Sequence, residues 1–253
     1  MAEAVARCGD IFADRSVLEV GCGYGENLAA LAPRSHSVVG VDLRFDEARR
    51  LSLARRAATP TRPSVALATA DALPFRDAAF DTVFSINSFE HFADPKRCFS
   101  ECLRVTRPGG WLYFSFSPLF FSAWGAHLYG EISVPHFHNV YVPAVVATFL
   151  EKHGFHPSHP QTKEQFLQHP YAWMNRWTAE QFRSLFRGDD RAHVVSYDET
   201  FELDHTAFLL AHASHVQVPS VRSLFVSGID VLLMRKDEPR PSWDQDCWDG
   251  CSR

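Results

Sequence analysis

Glu19-Val20-Gly21-Cys22-Gly23-Tyr24-Gly25 lies between the β-rich run Val17–Val20 and the helix-forming stretch Asn27–Leu31, and its reading decides the fold. Gly21 and Gly23 let the backbone turn tightly and approach a ligand closely, which a Cβ would prevent. The loop is not the dinucleotide fingerprint. That pattern needs glycine at position 26, and Glu26 stands there. A glutamate is a poor neighbour for pyrophosphate at a helix N-terminus, so the expected ligand lacks phosphates. Asp42 ends the next β-rich run, where an acidic side chain can accept from both hydroxyls of a ribose. Asp71, after a third such run, is placed to accept from an exocyclic amine. A nucleoside without phosphate is the inferred ligand.

Outward from the loop, strand and helix signals alternate. Ser37–Val41, Val65–Thr69, Phe80–Ile86 and Trp111–Phe116 read as further strands, and Asp46 to Arg56 and Pro95 to Val105 as helices. Arg107-Pro108-Gly109-Gly110 reads as a breaker ahead of the fifth strand. This order predicts a parallel sheet with helices on both faces. From Ser117 to about Trp177 the pattern changes, with Pro118, Pro135, Pro143, Pro157, Pro160 and Pro170 punctuating an aromatic, His-rich segment without a clean period. Thr178 and Gln181 form the ends of a capping box that opens a helix through Phe186, and His193–Phe201 and Leu224–Arg235 read as two closing strands. The tail 237–253 has no period and is expected to be mobile; residues 1–236 are expected to form one domain, with 117–177 inserted into it.

The 253 residues are 46% hydrophobic and 22% charged, which excludes whole-chain disorder, collagen-like order and coiled coil. A net charge of −5 leaves no global field for nucleic acid or anionic lipid, so a small-molecule substrate is the expected partner. No apolar stretch approaches the roughly 18–20 residues that span a bilayer. Arg7, Asp10, Asp14 and Arg15 interrupt the place of a signal-peptide core, so neither membrane nor export is expected and the setting reads as cytoplasmic. Six cysteines are too sparse for a disulfide scaffold; the pairs Cys98/Cys102 and Cys247/Cys251 read as ordinary reduced thiols.

Glu19 to Gly25, Asp42, Asp71-Ala72-Leu73-Pro74-Phe75, Phe80-Asp81 and the Phe89-Glu90-His91 run ahead of Arg107-Pro108-Gly109-Gly110 together resemble the class I S-adenosylmethionine-dependent methyltransferases, in their quinone-biosynthesis-like, small-molecule branch. The resemblance covers roughly residues 10–116. It implies a Rossmann-like fold with a seven-stranded, mainly parallel sheet and a lid insertion after the fifth strand. It also implies S-adenosyl-L-methionine as cofactor. Glu19, Gly21, Cys22 and Gly23 would hold the methionine portion, Asp42 with Leu43 the ribose side, Asp71 with Ala72 the adenine, and Asn87 would lie beside the amino group. His91 matches a histidine of this branch whose role varies.

The resemblance implies methyl transfer to a small molecule, read as O-methylation in specialised metabolism. Two alternatives stay open: use of the sulfonium as an aminocarboxypropyl donor or in its own cyclisation, both releasing methylthioadenosine, or a catalytically inactive nucleoside-binding partner protein. The general base is not identified. The acceptor side is expected from 117–177, with His136, Asn139, Tyr141 and Tyr171 as the candidate catalytic groups; a second packing layer or homodimer surface is the other use of that segment. His136/His138 and His153/His156/His159 could be read as ligands, but no carboxylate or cysteine nearby completes a set, and no metal is assigned.

Overall fold

Val17, Leu18, Val38, Val41, Val83 and Phe84 are all buried, as apolar runs must be in a sheet covered on both faces. The computed structural model describes residues 10–46, 49–50, 63–155 and 162–236. Seven strands, β1 (Ser16–Val20), β2 (Ser37–Asp42), β3 (Ser64–Leu67), β4 (Phe80–Ile86), β5 (Thr106–Phe116), β6 (Ala192–Phe201) and β7 (Val226–Arg235), form one sheet in the order β3-β2-β1-β4-β5-β7-β6. The first five pair in parallel, whereas β7 runs antiparallel between β5 and β6. Strand order reverses beside β1, which opens a crevice at the carboxyl ends of β1, β2 and β4.

Helix α1 (Glu26–Leu31) turns Leu28 and Leu31 onto one face of the sheet, against Phe12, Val38 and Phe84. Helix α2 (Pro95–Val105) covers the other face with Phe99, Cys102 and Leu103. Asp94 caps it, accepting from the Arg97 amide at 3.1 Å, and Pro95 occupies the first turn, where no amide is needed. Cys98 and Cys102 are buried on that helix, and burial pushes the Cys98 thiol up to about 12, so it is protonated at neutral pH.

Three sequence expectations change. The stretch Arg107–Gly110 does not precede β5 but lies inside it, where the register with β4 jumps from Phe80–Thr106 to Thr82–Trp111 and loops the four residues out. The segment 117–177 holds regular helices, α3 (Phe137–Val140), α4 (Pro143–His153) and α5 (Lys163–Gln168). Its period was hidden because α4 is apolar on two faces: Val146, Ala147 and Leu150 are buried while Val145 and Phe149 are exposed. These helices enclose a core of their own, with Phe120, Phe137, Leu150, Phe166 and Tyr171. The last strand begins at Val226, after a single 3-10 turn at Arg222–Leu224.

Helix α6 (Ala179–Gly188) opens with the capping box of Thr178 and Gln181 and packs Phe182 and Phe186 on the sheet beside α2; α7 (Thr206–Ala211) occupies a stretch to which the sequence reading gave no element. Most of the helix read over Asp46 to Arg56, and Cys8, His156, His159, Cys247, Cys251 and the tail 237–253, lie outside the described residues. Among the described residues, no helix is long and apolar enough to cross a membrane.

Candidate active site

A cavity of about 690 Å³ opens at the carboxyl ends of β1 and β2. Val20 and Gly21 form its floor, Asp42, Leu43 and Arg44 one wall, and Ala68 to Asp71 another. The opposite wall comes from Ser88 and His91 to Asp94, with His127, Tyr129, Ala172 and Trp173 reaching in from the insertion.

The glycine loop is built as its sequence requires. Gly21, Gly23 and Gly25 all have positive φ, at +81°, +51° and +78°. The Gly21 and Cys22 amides donate to the Val41 carbonyl at 2.8 and 3.0 Å, which ties the loop to the end of β2. The Gly23 amide donates to Asp42 Oδ2 at 2.9 Å, and the Arg44 amide to Asp42 Oδ1 at 3.1 Å. Asp42 is thereby fixed at the cavity edge with further acceptor capacity on both oxygens. Leu43, 70% exposed, lays an apolar side chain beside it.

Glu19 lies behind the loop and is only 2% exposed. Its Oε1 accepts from Asn27 Nδ2 at 2.7 Å, while its Oε2 is buried without a partner. Burial, reinforced by the charges of Glu26 and Asp42 and opposed by the Asn27 hydrogen bond, pushes its carboxyl up to about 8. A raised acid holds its proton in the folded state where the unfolded chain, near 4.5, has lost it, so this stability is present at low pH and is lost as pH rises towards 8. His136, held down to about 4 by burial, acts in the opposite direction below its ordinary value of 6.5. The ligand-free protein should therefore lose thermal stability between about pH 6.5 and 8, where burial pushes the Glu90 carboxyl up to about 8 as well, and Glu19→Gln should reduce that slope by roughly half. Melting curves across this range test it; an unaltered slope in the variant would contradict it.

The remaining sequence candidates divide. Gly21, Asp42, Leu43 and Asp71 line the cavity, and Arg97 Nε holds the Asp71 carbonyl at 3.0 Å. Cys22 is buried beneath the loop, and Ala72 lies on an adjoining groove with Asp71, Arg97 and Glu101. Asn87 follows β4 with φ +47°, its amide held by the Ser115 carbonyl.

None of the four acceptor candidates is among the cavity-lining residues. His136 and Asn139 are buried inside the insertion, where Asn139 Nδ2 donates to the Phe121 carbonyl at 2.8 Å and lies 3.3 Å from His136 Nδ1. Tyr171 is packed in the core of the insertion among Phe120, Phe166 and Trp173, and Tyr141 is exposed on its surface. Burial likewise holds His138 down to about 3, and its Nε2–H donates to the Phe120 carbonyl at 2.5 Å. His138 and Asn139 thus satisfy backbone carbonyls of the insertion, whereas the Tyr171 hydroxyl is buried without a hydrogen-bond partner.

The residues that do reach the cavity from the insertion are His127, Tyr129, Ala172 and Trp173. Tyr129 and Trp173 are among the insertion's aromatic residues, from which the sequence leads one to expect a chamber wall, but it carried no signal for His127, because chain distance and aperiodic context conceal which side chains return to the sheet edge. His91 Nδ1–H donates to the Trp173 carbonyl at 2.7 Å, so insertion and sheet meet at the cavity wall. Asn175 strengthens this seam, its side-chain amide donating to the Phe89 and Phe92 carbonyls at 2.9 and 3.1 Å.

This arrangement suits a cationic nucleoside. The close-approach loop and Asp42 offer polar groups at the cavity, with the unpartnered Glu19 oxygen behind them, and Arg44 and Arg49 also line it.

Comparison with known proteins agrees. Residues 18–114 match the family described as "Methyltransferase domain". The chain is 38% identical over 105 residues to a ubiquinone biosynthesis O-methyltransferase of Paracidovorax citrulli, covering 40% of this chain and 43% of that one. It is 32% identical over 162 residues to an uncharacterized methyltransferase of Mycobacterium leprae, covering 60% and 56%. The chain thus spans about half the length of these relatives. Among solved structures, an S-adenosylmethionine-dependent methyltransferase from Mesorhizobium loti superposes with a TM-score of 0.55 at 17% identity, covering 92% of this chain and 96% of that one.

Proposed function

We propose that the chain, whose residues 18–114 match a methyltransferase domain, uses S-adenosylmethionine in the manner of the class I enzymes to methylate a small-molecule acceptor, at oxygen, within specialised metabolism. The observation that carries this reading is the two-sided cavity, with the glycine loop and Asp42 on one side and His127, Tyr129 and Trp173 of the insertion on the other. S-adenosylmethionine supplies an activated methyl group on a cationic sulfur. The protein's share is alignment and exclusion of water, and alignment alone can contribute roughly 7–11 kcal/mol. Asp42 takes the ribose hydroxyls, Asp71 the adenine edge and the Gly21–Gly23 backbone the methionine portion. The aromatic rings of Tyr129 and Trp173 favour a cationic centre nearby by about 0.5–2 kcal/mol and wall the acceptor pocket.

We read the insertion 117–177 as the lid of one domain that extends to residue 236. His136, Asn139 and Tyr171 then act as positioning residues that shape the lid from within, and the acceptor meets His91, His127, Tyr129 and Trp173.

Two measurements test this. Calorimetry should show binding of S-adenosylmethionine and S-adenosylhomocysteine and none of comparable strength for NAD; tight NAD binding alone would contradict the cofactor assignment. Tyr129→Ala, at the cavity mouth, should lower kcat/KM for an acceptor by a factor of about 5–30, the equivalent of 1–2 kcal/mol, with little change in S-adenosylhomocysteine affinity. Wild-type turnover in Tyr129→Ala and Trp173→Ala would place the acceptor elsewhere.

A further inference from the structure

The turn Phe89–His91 that follows β4 carries a feature the methyl-transfer reading leaves unused. Glu90 is 1% exposed, and neither of its carboxylate oxygens has a hydrogen-bond partner. Its Oε1 lies 3.9 Å from His91 Nε2. His127 arrives from the insertion, its ring edge-on to that of His91 at 4.9 Å between centroids. One ligand atom from each of Glu90, His91 and His127 lies within 4.8 Å of the others.

Both histidines are oriented as metal ligands are, with one ring nitrogen on a backbone carbonyl. His91 Nδ1–H donates to the Trp173 carbonyl at 2.7 Å, which leaves the Nε2 lone pair towards Glu90. His127 Nε2–H donates to the Pro118 carbonyl at 3.1 Å, which holds the ring at the cavity wall. Asn175 clamps the same turn through the Phe89 and Phe92 carbonyls. A buried carboxylate with neither oxygen paired is costly, and a cation is the partner that removes the cost.

We propose that Glu90, His91 and His127 bind a divalent cation of zinc type, with a coordination position open to the cofactor cavity. Two imidazoles and one carboxylate are a borderline donor set that suits zinc, and three protein ligands leave the fourth place of a tetrahedron open. Tetrahedral zinc sets its ligand atoms about 3.4 Å apart, so a side-chain movement of about an ångström closes the set. The cation sits where the sheet meets the insertion, since His91 and His127 both line the cavity. Resting on the proposed function, an acceptor hydroxyl that takes the open place releases its proton to bulk water and is held as the anion. The cation thereby supplies what no side chain of the cavity was assigned to do, the activation of a neutral hydroxyl.

The test needs neither cofactor nor acceptor. The full chain, stripped with a chelator, is titrated with zinc alone against a competing chromophoric chelator, and with cobalt in the visible range. One equivalent is expected to bind with a tetrahedral cobalt spectrum, and His127→Ala and Glu90→Gln are each expected to weaken binding tenfold or more and to abolish that spectrum. Circular dichroism confirms the fold of each variant, and His91→Ala serves in place of any that unfolds. Zinc binding unchanged in all three variants, or no zinc binding by the folded wild type, would overturn the proposal. A chain that binds zinc here but transfers no methyl group would fail the functional reading and leave the metal site standing.

Discussion

Gly21→Val should lose at least a hundredfold in affinity for S-adenosylhomocysteine while the sheet stays folded. Gly21 sits at φ +81°, where a β-branched residue is a genuine outlier, and the left-handed region costs about 1–2 kcal/mol even for a simple side chain. An added Cβ would also stand 2.4 Å from Ser88 Oγ and 2.5 Å from Ser88 Cβ. Ser88 cannot easily yield, because its hydroxyl faces the Gly21 and Ile86 carbonyls at 3.2 and 3.1 Å. The loop must move instead, and displacements of about 1 Å near a reacting centre can cost roughly a hundredfold. Gly23→Ala is the internal contrast. Its φ is also positive, but an added Cβ there meets nothing within 4 Å, so only the backbone strain remains and a loss of roughly tenfold is expected. Calorimetry on both variants, with melting curves to establish folding, decides the matter; near-equal losses would contradict this account of the loop.

Asp42→Ala should weaken cofactor binding by roughly 10- to 150-fold, the equivalent of about 1.5–3 kcal/mol for a hydrogen bond to a charged group. The loss has two sources. A charged acceptor at the ribose position disappears, and the amides of Gly23 and Arg44 lose the carboxylate that aligns them. Asp42→Asn separates the sources: it retains an acceptor for one amide but removes the charge, so it should fall between wild type and Ala. Asp71→Ala should cost less, because the backbone from Ala68 to Ala70 still frames the cavity wall. An Asp42→Ala variant of unchanged affinity would count against the ribose role.

The glycine loop and Asp42 could be read from sequence because their chemistry is local. A tight turn needs residues without Cβ, and a strand end needs a polar stop, so both leave a mark within a few residues of one another. The sheet was legible for the same reason, since each buried strand is a short apolar run between breakers. Arg107–Gly110 misled because a ladder can loop residues out and resume, as β5 does opposite Asp81.

The acceptor side resisted reading for a different reason. His136, Asn139 and Tyr171 are polar residues in an aromatic segment, which looks the same in sequence whether they face a ligand or satisfy buried carbonyls. The structure shows the second arrangement for Asn139, whose side chain holds the Phe121 carbonyl. Glu90 and His91 were visible as part of a motif, but the third member of their cluster, His127, lies 36 residues further along the chain from His91 and is brought there only by the fold of the insertion.

The most direct test of the central claim is mass spectrometry of the cofactor-derived product, with a panel of hydroxylated small molecules as acceptors. Methyl transfer predicts S-adenosylhomocysteine formed in equal amount to an acceptor that has gained one methyl group on oxygen. Methylthioadenosine as the product, or S-adenosylmethionine bound and returned unchanged with every acceptor, would contradict it.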